Sequence, residues 1–262
     1  MDILTHTLSG MAVGGVGAAF CKKVKPIYFF LLGAIGGALP DIDAISLWSK
    51  FDSTFGNLFG LTTKGSVIYS AKLWYSHHSF FHSIAAALLF TMVLALLIAC
   101  IRRCRKNKTI ALRNYFPLFL SFFFAYCLHL IEDMPTPAST WGGVRLFFPA
   151  KTYVGGSGQI WWWNNYDIFL VALLVVVVIT LLLFVFRNRR KILKYCCVGI
   201  FALGVSVSIY QINARQTDYA YKGYTKTFHE FEKESLKEQE RILGKPLYKT
   251  MCWIDRHIPA NF

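Results

Sequence analysis

The chain has 262 residues, 55% of them hydrophobic and only 16% charged, with a formal net charge of +14 from 28 Lys+Arg against 14 Asp+Glu. Soluble domains carry about a quarter charged residues, so this composition argues against both an ordinary soluble enzyme and a disordered chain. A basic excess can serve nucleic acid, but that requires basic residues gathered on one polar face, and here many sit in short segments between apolar runs.

Six apolar runs are predicted to cross a membrane as helices. The first two, 3–20 and 26–40, are Gly-rich. Gly10/Gly14 and Gly33/Gly37 are each spaced four apart, which lets two helix backbones approach closely in lipid and predicts a tight N-terminal hairpin. Thr5-His6 opens the first run, and Pro40-Asp41-Ile42-Asp43 closes the second. No basic segment precedes the first run, so it is expected to be retained as a span and not cleaved as a signal peptide. The third run, 83–101, follows His77-His78-Ser79-Phe80-Phe81-His82. The fourth, 114–131, carries His129 inside and Glu132-Asp133 just after it. The fifth, 166–186, is apolar after Asp167 except for Thr180, and the sixth covers 195–212. Residues 1–212 are thus read as a membrane domain and 213–262 as an extramembrane tail. In the tail, Thr225–Leu243 predicts an outer amphipathic helix with Phe228, Phe231, Leu236 and Ile242 on its apolar side. The predicted class is an all-α membrane protein of about six transmembrane helices.

Six spans place alternate connections on opposite sides. The segments 21–25, 102–113 and 187–194 hold 14 basic residues and no acidic one in 25 positions. By the positive-inside rule they face the cytoplasm. Trp161, Trp162 and Trp163 are then expected at headgroup level on the outer side. Of the seven cysteines only Cys252 lies clearly outside, so structural thiols are expected. Cys100 and Cys104, four apart, lack the partners a zinc site needs.

The same topology brings His6, Asp41, Asp43, His77, His78, His82, His129 and Asp133, from four separate segments, to the outer end of the first four spans. His129 and Asp133 are four apart on one helical face, and so are His78 and His82 if their segment is helical. Asp41 and Asp43 follow a proline, where the helix is expected to stop and an extended or turn segment to point both carboxylates one way. Histidine with carboxylate and no thiolate suits Zn²⁺, Mn²⁺ or Fe²⁺, with zinc the expected ion. An ionisable residue such as His129 inside an apolar span is costly and points to function. His229 and His257, in the tail, read as surface residues.

The order Pro-Asp-Ile-Asp, His-x4-His-Ser and His-x3-Asp-x2-Thr-Pro resembles the YdjM-like family of membrane-bound metal-dependent hydrolases. It is carried by Asp41 and Asp43, by His77, His82 and Ser83, and by His129, Asp133, Thr136, Pro137 and Pro149. Thr5-His6 with Gly10 fits the family's opening, and the likeness covers residues 1 to about 150. It implies a multi-helix protein of the bacterial inner membrane with a metal-dependent hydrolase activity. It also makes His77 and His82 the ligand candidates, where helical spacing alone favours His78 with His82. The family commonly has His-Arg-Gly where this chain has His77-His78-Ser79, and loss of the arginine weakens anion binding there.

The expected ligands are His6, His82, His129 and Asp133, with Asp41 or Asp43 completing the site or bridging a second ion. The remaining aspartate is the candidate general base, ahead of Glu132. The expected reaction is hydrolysis of a lipid-linked ester or phosphoester by metal-activated water at the outer membrane-water interface. The aromatic stretch 44–76, with Trp48, Phe51, Phe55, Leu58 and Phe59, would lie on the bilayer or cover the site. A transporter and a non-catalytic metal-stabilised scaffold are the rival readings. The expected partners are the lipid bilayer and a lipid-like substrate, with no nucleic acid.

Overall fold

The computed structural model describes residues 1–104 and 112–257. Among these, six helices are long and apolar enough to cross a membrane. Helices α1 (Ile3–Phe20) and α2 (Pro26–Ala38) form the predicted hairpin, because glycines remove the side chains between them. A Cβ on Gly10 would lie 2.2 Å from the Gly33 carbonyl oxygen, and one on Gly37 would lie 2.2 Å from that of His6. Close backbone approach of this kind favours helix association in lipid, where there is no hydrophobic drive between helices.

The second span does not end at Pro40. It tightens into a 3-10 helix over Leu39–Leu47, since proline at an early helical position costs no hydrogen bond. A short helix α3 (Gly65–Ser70) follows in the aromatic stretch, where Phe51 is buried while Trp48, Leu58, Phe59 and Trp74 are exposed. Residues 71–83 are turns and bends, so the third span, α4 (Ile84–Cys104), begins only after the histidine motif. The Ser83 hydroxyl accepts from the Ala86 amide and caps it.

Helix α5 (Phe116–Asp133) packs against both arms of the hairpin, while α6 (Tyr166–Val185) and α7 (Arg190–Asn213) close the bundle beside α1. Helix α7 starts five residues before the expected boundary, which places Arg190, Lys191 and Lys194 in its first two turns. Of the basic segment 102–113, Arg105, Lys106 and Lys108 lie outside the described residues.

The tail forms α8 (Phe228–Leu243) and a further helix, α9 (Lys245–His257). It packs on the membrane domain. One guanidinium nitrogen of Arg215 donates to both carboxylate oxygens of buried Asp167, at 3.0 and 3.2 Å, and Gln239 accepts from the Asp167 amide. This docking changes the role expected for Trp161. Instead of facing headgroups it is fully buried against Tyr219, Phe228 and Phe231. All seven cysteines are free thiols, and no cysteine joins a potential metal group among the described residues. His229 and His257 are exposed, as expected.

Candidate metal centre

Four elements meet at one end of the bundle: the start of α1, the 3-10 extension of α2, the turn before α4 and the end of α5. They bring Asp41, His82, His129 and Asp133 together so that one donor atom from each lies within 4.8 Å of the others. His129 Nε2 is 3.0 Å from Asp133 Oδ2, 3.3 Å from His82 Nε2 and 3.6 Å from Asp41 Oδ1. His82 Nε2 is 3.5 Å from both Asp41 Oδ1 and Asp133 Oδ2. Donors around a tetrahedral ion with bonds of about 2.0–2.1 Å are about 3.3–3.4 Å apart, so these separations fit a four-coordinate ion. The buried Asp133 Oδ2 makes no aligned hydrogen bond, and such an atom is costly unless something else satisfies it. This buried His/Asp group could therefore hold a metal ion.

The second nitrogen of each histidine shows how the rings are held. His129 Nδ1 donates to the Gly37 carbonyl at 2.6 Å, so Nε2 carries the lone pair that faces the group. His82 Nδ1 stands 3.3 Å from Asp43 Oδ2 without an aligned hydrogen bond, so its ring is neighboured by a carboxylate where that of His129 is held by a carbonyl. Partners of this kind fix tautomer and ring orientation at metal sites. The two aspartates of the Pro-Asp-Ile-Asp motif thus diverge, because i and i+2 on a 3-10 helix point about 120° apart. Asp41 reaches the Nε2 side of His82 and Asp43 its Nδ1 side. One motif flanks the ring from two directions.

His6 comes to the same place by a different contact. Its Nδ1 lies 2.7 Å from Glu132 Oε2 and its Nε2 3.1 Å from Asp133 Oδ1, so both nitrogens are engaged by carboxylates. Its ring stacks on His129 at 3.7 Å. In this arrangement His6 steadies Asp133 and His129 and presents no free donor to the ion. The Met1 nitrogen also contacts Asp133 Oδ1, at 2.6 Å.

His77 and His78, on turns, have separate partners. His77 Nδ1 donates to Asp43 Oδ1 at 2.7 Å, and its ring stacks on Tyr69. His78 adopts a positive φ of 61° and donates from Nδ1 to the Gly143 carbonyl at 3.1 Å. With His82 they form a second potential metal group that shares a member with the first. Burial, reinforced by His77 and His82, holds His78 well below the usual imidazole range. Burial also opposes a charge on His82, but Asp43 and Asp41 outweigh it and lift that imidazole to about 10. Arg145, which sequence reasoning passed over, comes from the loop after α5. It bonds the Ser79 hydroxyl and the carbonyls of Pro149 and Ala150, pinning the histidine turn to that loop. Its sequence position gave no signal of this.

Asp41, Asp133, His77 and His78 open onto a cavity of about 560 Å³. Tyr69, Trp141, Trp162 and Trp163 line its wall, and Tyr221, Tyr224 and Phe228 from the tail roof it. Sequence reasoning did not foresee these walls, since they come from segments scattered between residues 69 and 228.

Comparison with curated proteins and with solved structures finds no match. The family description "YdjM inner membrane protein" matches residues 1–214, which include all six long helices and every residue of the His/Asp group. The chain therefore belongs to the YdjM inner membrane protein family and is a multi-pass membrane protein.

Proposed function

We propose that the chain is a metal-dependent hydrolase acting on a lipid-linked ester or phosphoester at the outer membrane-water interface. The observation that carries this reading is the four-donor group, set with its carboxylates open to an aromatic cavity. Asp41, His82, His129 and Asp133 would hold the ion, and a zinc ion suits their number, spacing and chemistry. When bound, such an ion supplies Lewis acidity and lowers the pKa of water at the site.

The chain's own residues supply the rest. The Gly37 carbonyl holds the His129 ring, and the Asp43 carboxylate stands beside that of His82. His77 has Asp43 on Nδ1 and lines the cavity, the arrangement in which a carboxylate sets the tautomer and leaves Nε2 to accept and return a proton. Proton transfer is thereby assigned to His77, and Asp43 positions it. The indole and phenol rings of the wall limit bulk water and suit an apolar substrate. Exposed Trp48, Leu58, Phe59 and Trp74 form an apolar rim on the aromatic stretch that suits contact with the bilayer. The basic segments at the opposite end support an outer-side position for the centre by the positive-inside rule.

The test is a screen of lipid esters and phosphoesters against protein in nanodiscs, with chelator and with zinc restored. Turnover that falls with chelator, returns with zinc and is lost in His77→Ala with metal retained supports the proposal. Stoichiometric metal with no turnover on any member of the panel would overturn it in favour of a metal-stabilised scaffold.

A further inference from the structure

The opposite end of the bundle carries a site that the hydrolytic reading does not use. Lys22, Lys23, Arg113, Arg190 and Lys194 line a cavity of about 340 Å³ between the α1–α2 turn and the starts of α5 and α7. Among the described residues none of the five meets a carboxylate. Arg190 donates to the Ala18 and Cys21 carbonyls, and Lys194 lies over the Phe20 ring. Converging cations without counter-charges at a helix-bundle end form an anion site.

An apolar groove adjoins this cavity. Phe20 and Pro117 line both, and the groove then runs past Gly17, Phe124 and Phe201 to Ile131, with a volume of about 590 Å³. From Pro117 to Ile131 it follows α5 for about 21 Å, longer than the roughly 15 Å of hydrocarbon in one leaflet. A soluble anion would fill the cationic end and leave the groove bare. A zwitterionic lipid would bring a second positive charge to five cations. Only a molecule with an anionic head and a long apolar chain matches both parts.

We infer that this groove binds one anionic phospholipid, its phosphate among Lys22, Lys23 and Lys194 and an acyl chain along α1 and α5. The experiment is native mass spectrometry of the full chain, delipidated in mild detergent and titrated with phosphatidylglycerol or with phosphatidylcholine of the same acyl chains. The expected result is a single phosphatidylglycerol adduct, preferred about tenfold or more. That preference should collapse in Lys22→Gln/Lys23→Gln and in Lys194→Gln. It should survive in Arg102→Gln/Arg103→Gln, which removes as much charge from the same end of the bundle outside the cavity. The inference is overturned if the preference persists in both cavity variants or if the Arg102/Arg103 variant loses it equally. It is also overturned if glycerophosphate, which has the head without the chains, displaces the lipid at equal concentration.

Discussion

Gly37 links the packing of the hairpin to the chemistry of the centre, so one methyl group there should be felt in metal binding. In Gly37→Ala the new Cβ would sit 2.2 Å from the His6 carbonyl oxygen and 3.2 Å from the Gly10 Cα. Both obstacles are backbone and cannot rotate away. Restoring an ordinary contact, which begins at 3.4 Å, requires α1 and α2 to part by at least about 1.2 Å, against a tolerance of about 0.2 Å in metal-ligand distances. The same residue's carbonyl holds His129 Nδ1, and His6 touches Asp133. The shift therefore reaches two of the four donors. Displacing such orienting partners weakens metal binding by roughly 10–100-fold. The assay is competition for zinc against a chelator of known affinity, with Gly199→Ala as the control. Gly199 lies on α7 with nothing within 4 Å of its Cβ position, so that variant should bind zinc normally and gain up to about 1 kcal/mol of helix stability. Wild-type zinc affinity in Gly37→Ala would refute the coupling of hairpin and site.

Removing a donor should cost more than removing its support, so His82→Ala and Asp133→Ala should lose zinc more completely than Asp43→Asn, with Asp43→Asn falling in the roughly 10–100-fold range by metal analysis. In the metal-free chain His82 titrates at about 10, above the ordinary imidazole, so at neutral pH zinc must displace a proton from it. Apparent zinc affinity should therefore fall by about tenfold for each unit of acidification per proton displaced, and calorimetry in buffers of different ionisation enthalpy should count the protons released. Arg215→Met leaves Asp167 buried without its partner and should cost roughly 3–5 kcal/mol, detected as faster proteolytic cleavage between α7 and α8. Single cysteines at Asn57 and Lys23 in a cysteine-free chain should label from opposite sides, Asn57 from outside intact cells. The reverse pattern would invert the orientation.

The length and apolarity of the six runs predicted the spans because a bilayer imposes one thickness on every crossing helix. Glycine spacing likewise predicted the hairpin. The division of span ends between the two sides by itself brings His6, Asp41, Asp43, His77, His82, His129 and Asp133 to one end of the bundle. The i, i+4 rule also anticipated that His129 and Asp133 share a face, since α5 is regular there.

The roles within that cluster were not legible, because they depend on which nitrogen or oxygen faces which neighbour. Asp41 and Asp43 are separated by a 3-10 turn that the proline did not end. His6 spends both its nitrogens on carboxylates 126 and 127 residues away. His77 and His78 stand on turns, where helical spacing has no meaning. The cavity's wall and roof were equally hidden, since Trp162 and Phe228 belong to segments that reading along the chain assigned to headgroups and to a surface helix. Span length and side are local properties of a chain crossing lipid. Coordination is a property of atoms within a few ångströms, and only packing of distant segments decides which atoms those are.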